Sequence, residues 1–172
     1  NYDGVVLSSI PGINLFAYST SRYGVNVARA DVENHGFDEI VTGPGPGSVF
    51  GPQVRGFNTD GGAATAIAKI NYNALPSWTY GANVGGGGLD GDGFGEIVAG
   101  RGPSAALPAE VAGHDYDGVG VTAMPGFPVT ISPGSYGSRA TVGDVDGDGT
   151  GELVAGIGDS PAAAARLFTF DY

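Results

Sequence analysis

Gly143-Asp144-Val145-Asp146-Gly147-Asp148-Gly149-Thr150-Gly151-Glu152-Leu153-Val154-Ala155-Gly156 decides the fold, because the chain writes it three times. The second copy runs Gly87-Gly88-Leu89-Asp90-Gly91-Asp92-Gly93-Phe94-Gly95-Glu96-Ile97-Val98-Ala99-Gly100. The first runs Ala30-Asp31-Val32-Glu33-Asn34-His35-Gly36-Phe37-Asp38-Glu39-Ile40-Val41-Thr42-Gly43. In each, an acid-rich loop closes on Gly and gives way to a Glu and an apolar strand. A Tyr-Gly pair precedes every copy (Tyr23-Gly24, Tyr80-Gly81, Tyr136-Gly137), with the tyrosines 57 and 56 residues apart. So long a period marks stacked supersecondary units.

Working outward, the first unit offers strand-like segments at 25–31, 39–43, 53–58 and 64–71, rich in Val, Ile and Ala and bounded by Gly, Pro, Asn and Asp. Pro44, Pro46, Pro103 and Pro161 follow the second strand and stop it. No helical stripe is sustained, and the alanines at 162–165 follow a proline and read as loop. The expectation is an all-β chain of four-stranded units at about 23–79, 80–135 and 136–172. Asp3, Asp60 and Asp117 share one phase of the repeat, and Asn1, Asn58, Asp115 and Asp171 share another. The chain therefore starts and stops at one point of the unit. On this reading the third unit has three strands at the C-terminus and is completed by residues 1–22, with its fourth strand at 5–18.

Rings of such blades generally need four to eight. The expectation is self-association, with two chains forming a six-bladed ring or copies joining end to end, or else neighbouring repeats of a longer chain. Beginning at Asn1 rather than Met suits a processed chain or a fragment.

Composition narrows the partners. The 172 residues carry 33 Gly and 11 Pro, which recur in phase with the repeat and read as turns. Net charge is −11, from 18 acids against 7 bases, and ten of those acids fall at odd-numbered loop positions. A phosphate backbone would need clustered Lys and Arg, so nucleic acid is excluded. No apolar run is long enough to span a membrane. Cysteine is absent, which removes disulfides and thiol chemistry.

Counted from Asp144, loop three places carboxylates at positions 1, 3 and 5 (Asp144, Asp146, Asp148), Gly149 at 6, the Thr150 carbonyl at 7 and Glu152 at 9. Hard Ca²⁺ takes six to eight oxygens in a forgiving geometry, which this set with water can supply. Without a cation, two carboxylates about 4 Å apart repel by about 4 kcal/mol at an effective dielectric near 20. An EF-hand is excluded, since its bidentate Glu stands at position 12 between helices, whereas a strand follows here at once. The competing reading is a set of Asx-turns capping backbone amides. Loop two has Gly88 at position 1 and keeps Asp90, Asp92, the Phe94 carbonyl and Glu96, which predicts weaker affinity. Loop one offers Asp31, Glu33, the Phe37 carbonyl and Glu39, with His35 at position 5. Imidazole is a poor ligand for calcium, so loop one either binds through backbone or water there or closes without an ion.

These residues carry a resemblance to the FG-GAP repeat proteins, also called VCBS-type, as in integrin α-subunit propellers. The Tyr-Gly pairs match the "FG" element, and Gly43-Pro44-Gly45-Pro46 and Gly100-Arg101-Gly102-Pro103 stand at "GAP". Gly156-Ile157-Gly158-Asp159-Ser160-Pro161 is a looser match. The resemblance covers essentially the whole chain. It implies a β-propeller of four-stranded blades, three blades' worth in this chain, with a blade split between the N- and C-termini. It also implies Ca²⁺ between the first and second strands of each blade and a secreted or cell-surface setting. Gly88 and His35 depart from the family pattern.

The function expected is a non-enzymatic calcium-binding module for extracellular interaction, adhesion or assembly, with a protein or glycan ligand. The alternative is a propeller lectin using Trp78, Tyr72 and Tyr80 as a sugar-stacking face, against which stands the stronger reading that these aromatics pack between blades. Catalysis is the weakest expectation. No Gly-x-Ser-x-Gly elbow occurs, and an acid–base group of His114, Asp115 and Asp117 competes with a packing role for His114, whose equivalents are Phe57 and Phe170.

Overall fold

The structure, a computed structural model, describes residues 4, 7–20, 22–133, 136–158 and 160–172. It is all-β, with no helix among the described residues. Among the described residues twelve strands form three separate antiparallel sheets, none closed on itself. Sheet one is β1 (Val25–Ala30), β2 (Glu39–Pro44), β3 (Gln53–Asn58) and β4 (Thr65–Asn73), in that order. Sheet two runs β5 (Ala82–Gly87), β6 (Glu96–Arg101), β7 (Ala109–Tyr116) and β8 (Val121–Ala123), with β9 (Val129–Ser132) also on the edge of β7. Sheet three is β10 (Ser138–Gly143), β11 (Glu152–Ile157) and β12 (Leu167–Phe170).

Sheet two lies between the others, with β5 in contact with both β1 and β10. That position explains why every residue of β6 is buried. Alternate side chains serve opposite cores, as strand pleating requires. Ile97 and Ala99 join Val41, Val54, Ile70, Trp78 and Val84 between sheets one and two. Val98 joins Leu89, Val111, Met124, Leu153 and Ala155 between sheets two and three.

The repeated Tyr-Gly pairs have a mechanical explanation. Tyr23, Tyr80 and Tyr136 take φ of 69°, 69° and 79°, and Gly24, Gly81 and Gly137 follow at 71°, 76° and 80°. Two consecutive left-handed residues turn the chain sharply into the first strand of each unit. A non-Gly residue there costs of order 1 kcal/mol or more and persists because its surroundings hold it. The carbonyls of these tyrosines point at the glycines following the second strands. A Cβ on Gly45, Gly102 or Gly158 would lie 1.7, 1.8 or 2.2 Å from the oxygen of Tyr23, Tyr80 or Tyr136. The two glycine motifs of each repeat are thus opposite sides of one backbone contact. Between units, Asn26 Nδ2 donates to the Ala82 carbonyl at 2.8 Å, and Asn83 Nδ2 repeats this to Ser138 at 2.7 Å.

The fourth strand is where the units diverge. β4 pairs with β3 across a bulge between Arg55 and Gly56. In sheet two the equivalent strand is broken into β8 and β9, so four regular strands per unit are not seen. Met124-Pro125-Gly126-Phe127-Pro128 interrupts it, and proline cannot donate to a ladder. In both sheets the irregularity seats an apolar side chain over a glycine. Ile70 lies over Gly56 and Phe127 over Gly113, where a Cβ would come within 2.9 and 2.7 Å.

Sheet three has no fourth strand among the described residues. The repeat-phase residues Asn1, Tyr2 and Asp3, and positions 5 and 6 of the expected strand, lie outside the described residues, as does Asp159. The described part, 7–18, holds a single bridge at Leu7 and otherwise no strand. It packs on sheet one instead. Tyr18 Oη lies 2.9 Å from the Thr42 carbonyl and 2.8 Å from that of Gln53, and Arg55 donates to the Ala17 carbonyl. The cause is geometric: sheets one and three flank sheet two, so a segment leading directly into β1 stays beside sheet one.

Candidate metal centres

Each loop closes by the same device. The buried glutamate at position 9 accepts a hydrogen bond on Oε2 from the amide at position 2. These pairs are Glu39 with Val32 (2.9 Å), Glu96 with Leu89, and Glu152 with Val145 (2.7 Å). Gly36, Gly93 and Gly149, at φ of 84°, 99° and 98°, turn the chain toward Phe37, Phe94 and Thr150 at position 7. The aspartates cap amides within the loops. Asp144 accepts from Gly147 and Gly149, Asp90 from Asp92, and Asp31 from His35 and Gly36. The Asx-turns are therefore present, and the question is what the remaining oxygens do.

They converge. Ligand atoms of Asp90, Asp92 and Glu96 lie within 4.8 Å of one another, as do those of Asp144, Asp146 and Glu152, and of Asp31, His35 and Glu39. Each group could hold a metal ion. Two expected ligands stand apart from these groups. Asp148 is bonded to the amide and hydroxyl of Thr150, at 2.8 and 2.5 Å. Glu33 accepts a hydrogen bond from Asn58 Nδ2.

Loop two tests best whether its residues fit a cation. Glu96 is wholly buried, and its Oε1 accepts no hydrogen bond. Burial first, then Asp90 and Asp92, pushes this carboxyl up to about 7. An ionised, unpaired carboxylate oxygen beside two others is costly, and the arrangement is satisfied by a proton or by a cation. The donors are all oxygens, which fits a hard divalent ion.

The register reveals residues that the motif alone does not. Phe57, His114 and Phe170 pair with Ile40, Ile97 and Leu153. Asn58, Asp115 and Asp171 therefore come level with Glu39, Glu96 and Glu152. Asp115 brings a further carboxyl to loop two, where Gly88 leaves position 1 without one. Its Oδ1 is buried without a hydrogen bond, and burial, then Asp92, Asp90 and Asp117, raises its pKa. The only signal in the sequence was the shared repeat phase of these three positions.

The other candidate groups do not assemble. Trp78, a candidate either for packing or for a sugar-binding face, is 2% exposed and packed, with the Arg101 guanidinium 4.8 Å over its ring. The Tyr72 hydroxyl is buried. Tyr80 is occupied in its left-handed turn. His114 is buried against Tyr72, with ring centroids 4.7 Å apart. Asp117 Oδ1 caps the amides of Val119 and Gly120, both at 2.8 Å. Adjacent residues of β7 face opposite ways, so His114 and Asp115 do not form one acid–base group.

Comparison with family models and with curated proteins finds no match for this chain. No helix among the described residues is long and apolar enough to cross a membrane.

Proposed function

We propose that the chain is a non-enzymatic, calcium-stabilised β-propeller module of the FG-GAP type, used in extracellular protein interaction, adhesion or assembly. One observation carries the calcium reading: the buried, hydrogen-bond-free Glu96 Oε1 faces two further carboxylates in a loop whose architecture recurs. Asp90, Asp92 and Glu96, with Asp115 level with Glu96, would hold one ion. Asp144, Asp146 and Glu152 would hold another, with Asp148 free to exchange its Thr150 contact for the metal. The ion would neutralise crowded carboxylates and tie the first two strands of a unit together at the loop end. Modules working at the millimolar calcium found outside cells need only modest affinity. The assembly reading is supported by β12, whose outer edge is unpaired among the described residues, since an open edge invites another strand. A dimer in solution would fit two chains sharing a ring.

Chelation tests this reading. An ion at about a hundredfold excess over its Kd stabilises by about 2.7 kcal/mol. For a chain of this size that corresponds to a Tm about 5–10 °C lower in EDTA than in calcium. An unchanged Tm, with no metal found by elemental analysis, would reduce the loops to turns.

A further inference from the structure

Loop one departs from its two copies at the position that matters most, with an imidazole where they carry Asp92 and Asp148. The ring sits among carboxylates from separate elements. His35 Nε2 is 2.9 Å from Asp60 Oδ2 and 3.1 Å from Glu39 Oε1, and Nδ1 is 3.3 Å from Asp31 Oδ1. The Phe37 amide also approaches Nδ1, at 3.4 Å. Asp60 lies beyond β3, outside the loop motif altogether. We propose that loop one is a site for a divalent transition ion of the zinc, cobalt or nickel class, with His35 Nε2, Glu39 Oε1 and Asp60 Oδ2 as ligands and Asp31 orienting the ring.

The state of Glu39 and the kinds of donor that meet here carry this assignment. Glu39 is 1% exposed, and its Oε1 accepts no hydrogen bond while facing the ring. The donor chemistry agrees, since imidazole with carboxylates selects borderline ions over hard ones. Asp31 beside Nδ1 matches the carboxylate that usually orients a metal-bound histidine. Loop one also has fewer oxygens left for calcium. Asn58 stands where the other units have Asp115 and Asp171, and its amide engages Glu33.

The proposal rests on reading these loops as cation sites, but not on calcium occupying loops two and three. The competitor for the same carboxylates is a proton, which would make His35 an imidazolium and the loop metal-free. The test is a titration of the intact chain with Co²⁺ and Zn²⁺ in excess calcium, after the calcium isotherm alone has been recorded. Cobalt is followed by its visible absorption and zinc by the ¹⁵N resonances of the His35 ring. The expected result is one transition ion per chain, a shifted Nε2 resonance, loss of binding in His35→Gln and Asp60→Asn, and affinity about tenfold or more weaker in Asp31→Asn. His35→Asp should exchange preferences, losing zinc and gaining a calcium site. A wild-type ring whose resonances ignore zinc, or zinc binding that survives in His35→Gln, overturns the proposal. Failure of the calcium isotherm with zinc still bound through His35 would sink the calcium reading and leave this one standing.

Discussion

Gly102→Ala is expected to destabilise the chain by about 3 kcal/mol or more, and to lower Tm by about 6–12 °C. The added Cβ would lie 1.8 Å from the Tyr80 carbonyl oxygen and 2.5 Å from its carbon. Backbone, unlike a flexible side chain, cannot rotate out of the way. Nor can the turn retreat, because Gly81 is itself pressed on the end of β2, where a Cβ would meet the Pro44 oxygen at 2.1 Å. Relief would require separating sheets one and two, whose shared core includes Trp78 and Val84. Gly61→Ala is the control: nothing lies within 4 Å of its Cβ and its φ is not left-handed, so a change within about 0.5 kcal/mol is expected. Urea denaturation of both variants decides the matter. If Gly102→Ala matches the control, the glycine motif is not the steric contact described.

The second large effect is an acid limb in stability that belongs to His114. Burial pushes its pKa from 6.5 down to about 4, against the opposing hydrogen bond to the Ala74 backbone. Between those values the unfolded chain binds a proton that the folded chain refuses. Unfolding is therefore favoured progressively as pH falls, and this contribution is fully present only above about 6.5. The gap is worth about 3 kcal/mol at 1.36 kcal/mol per pH unit. Glu96, with its raised pKa, works in the opposite sense as pH falls through about 7, so the comparison must be between variants. His114→Phe places at this register position the residue found at Phe57 and Phe170. Its stability should fall less than that of wild type between pH 7 and 4, by about 3 kcal/mol. Parallel pH profiles would show that folding leaves the proton affinity of His114 unchanged.

What could be read from the sequence follows from range. The first three strands of each unit alternate around turns that local chemistry specifies, and β3 at Gln53–Asn58 occupies the segment expected for it. The fourth strand is shaped by long-range packing. Ile70 and Phe127 insert over Gly56 and Gly113, and only the finished sheet reveals why those positions are glycine. The third unit carries Thr169 there, and its sheet ends at β12 among the described residues. In the loops, acids and glycines at fixed spacing announced the clusters, because one short segment supplies them. Asp60 and Asp115 were not legible as partners, since each reaches its loop from beyond β3 or from β7. Trp78 lies in the core, although one tryptophan between Ser77 and Thr79 shows no periodicity that could choose between packing and a sugar-stacking face.

The most direct test is calorimetric titration of calcium into metal-free protein at pH 8, where Glu96 has lost its proton. One ion should bind for each of loops two and three, with Glu96→Gln and Glu152→Gln each removing one of them. Absence of binding at millimolar calcium in the folded wild-type chain would contradict the account that a cation holds these carboxylates together.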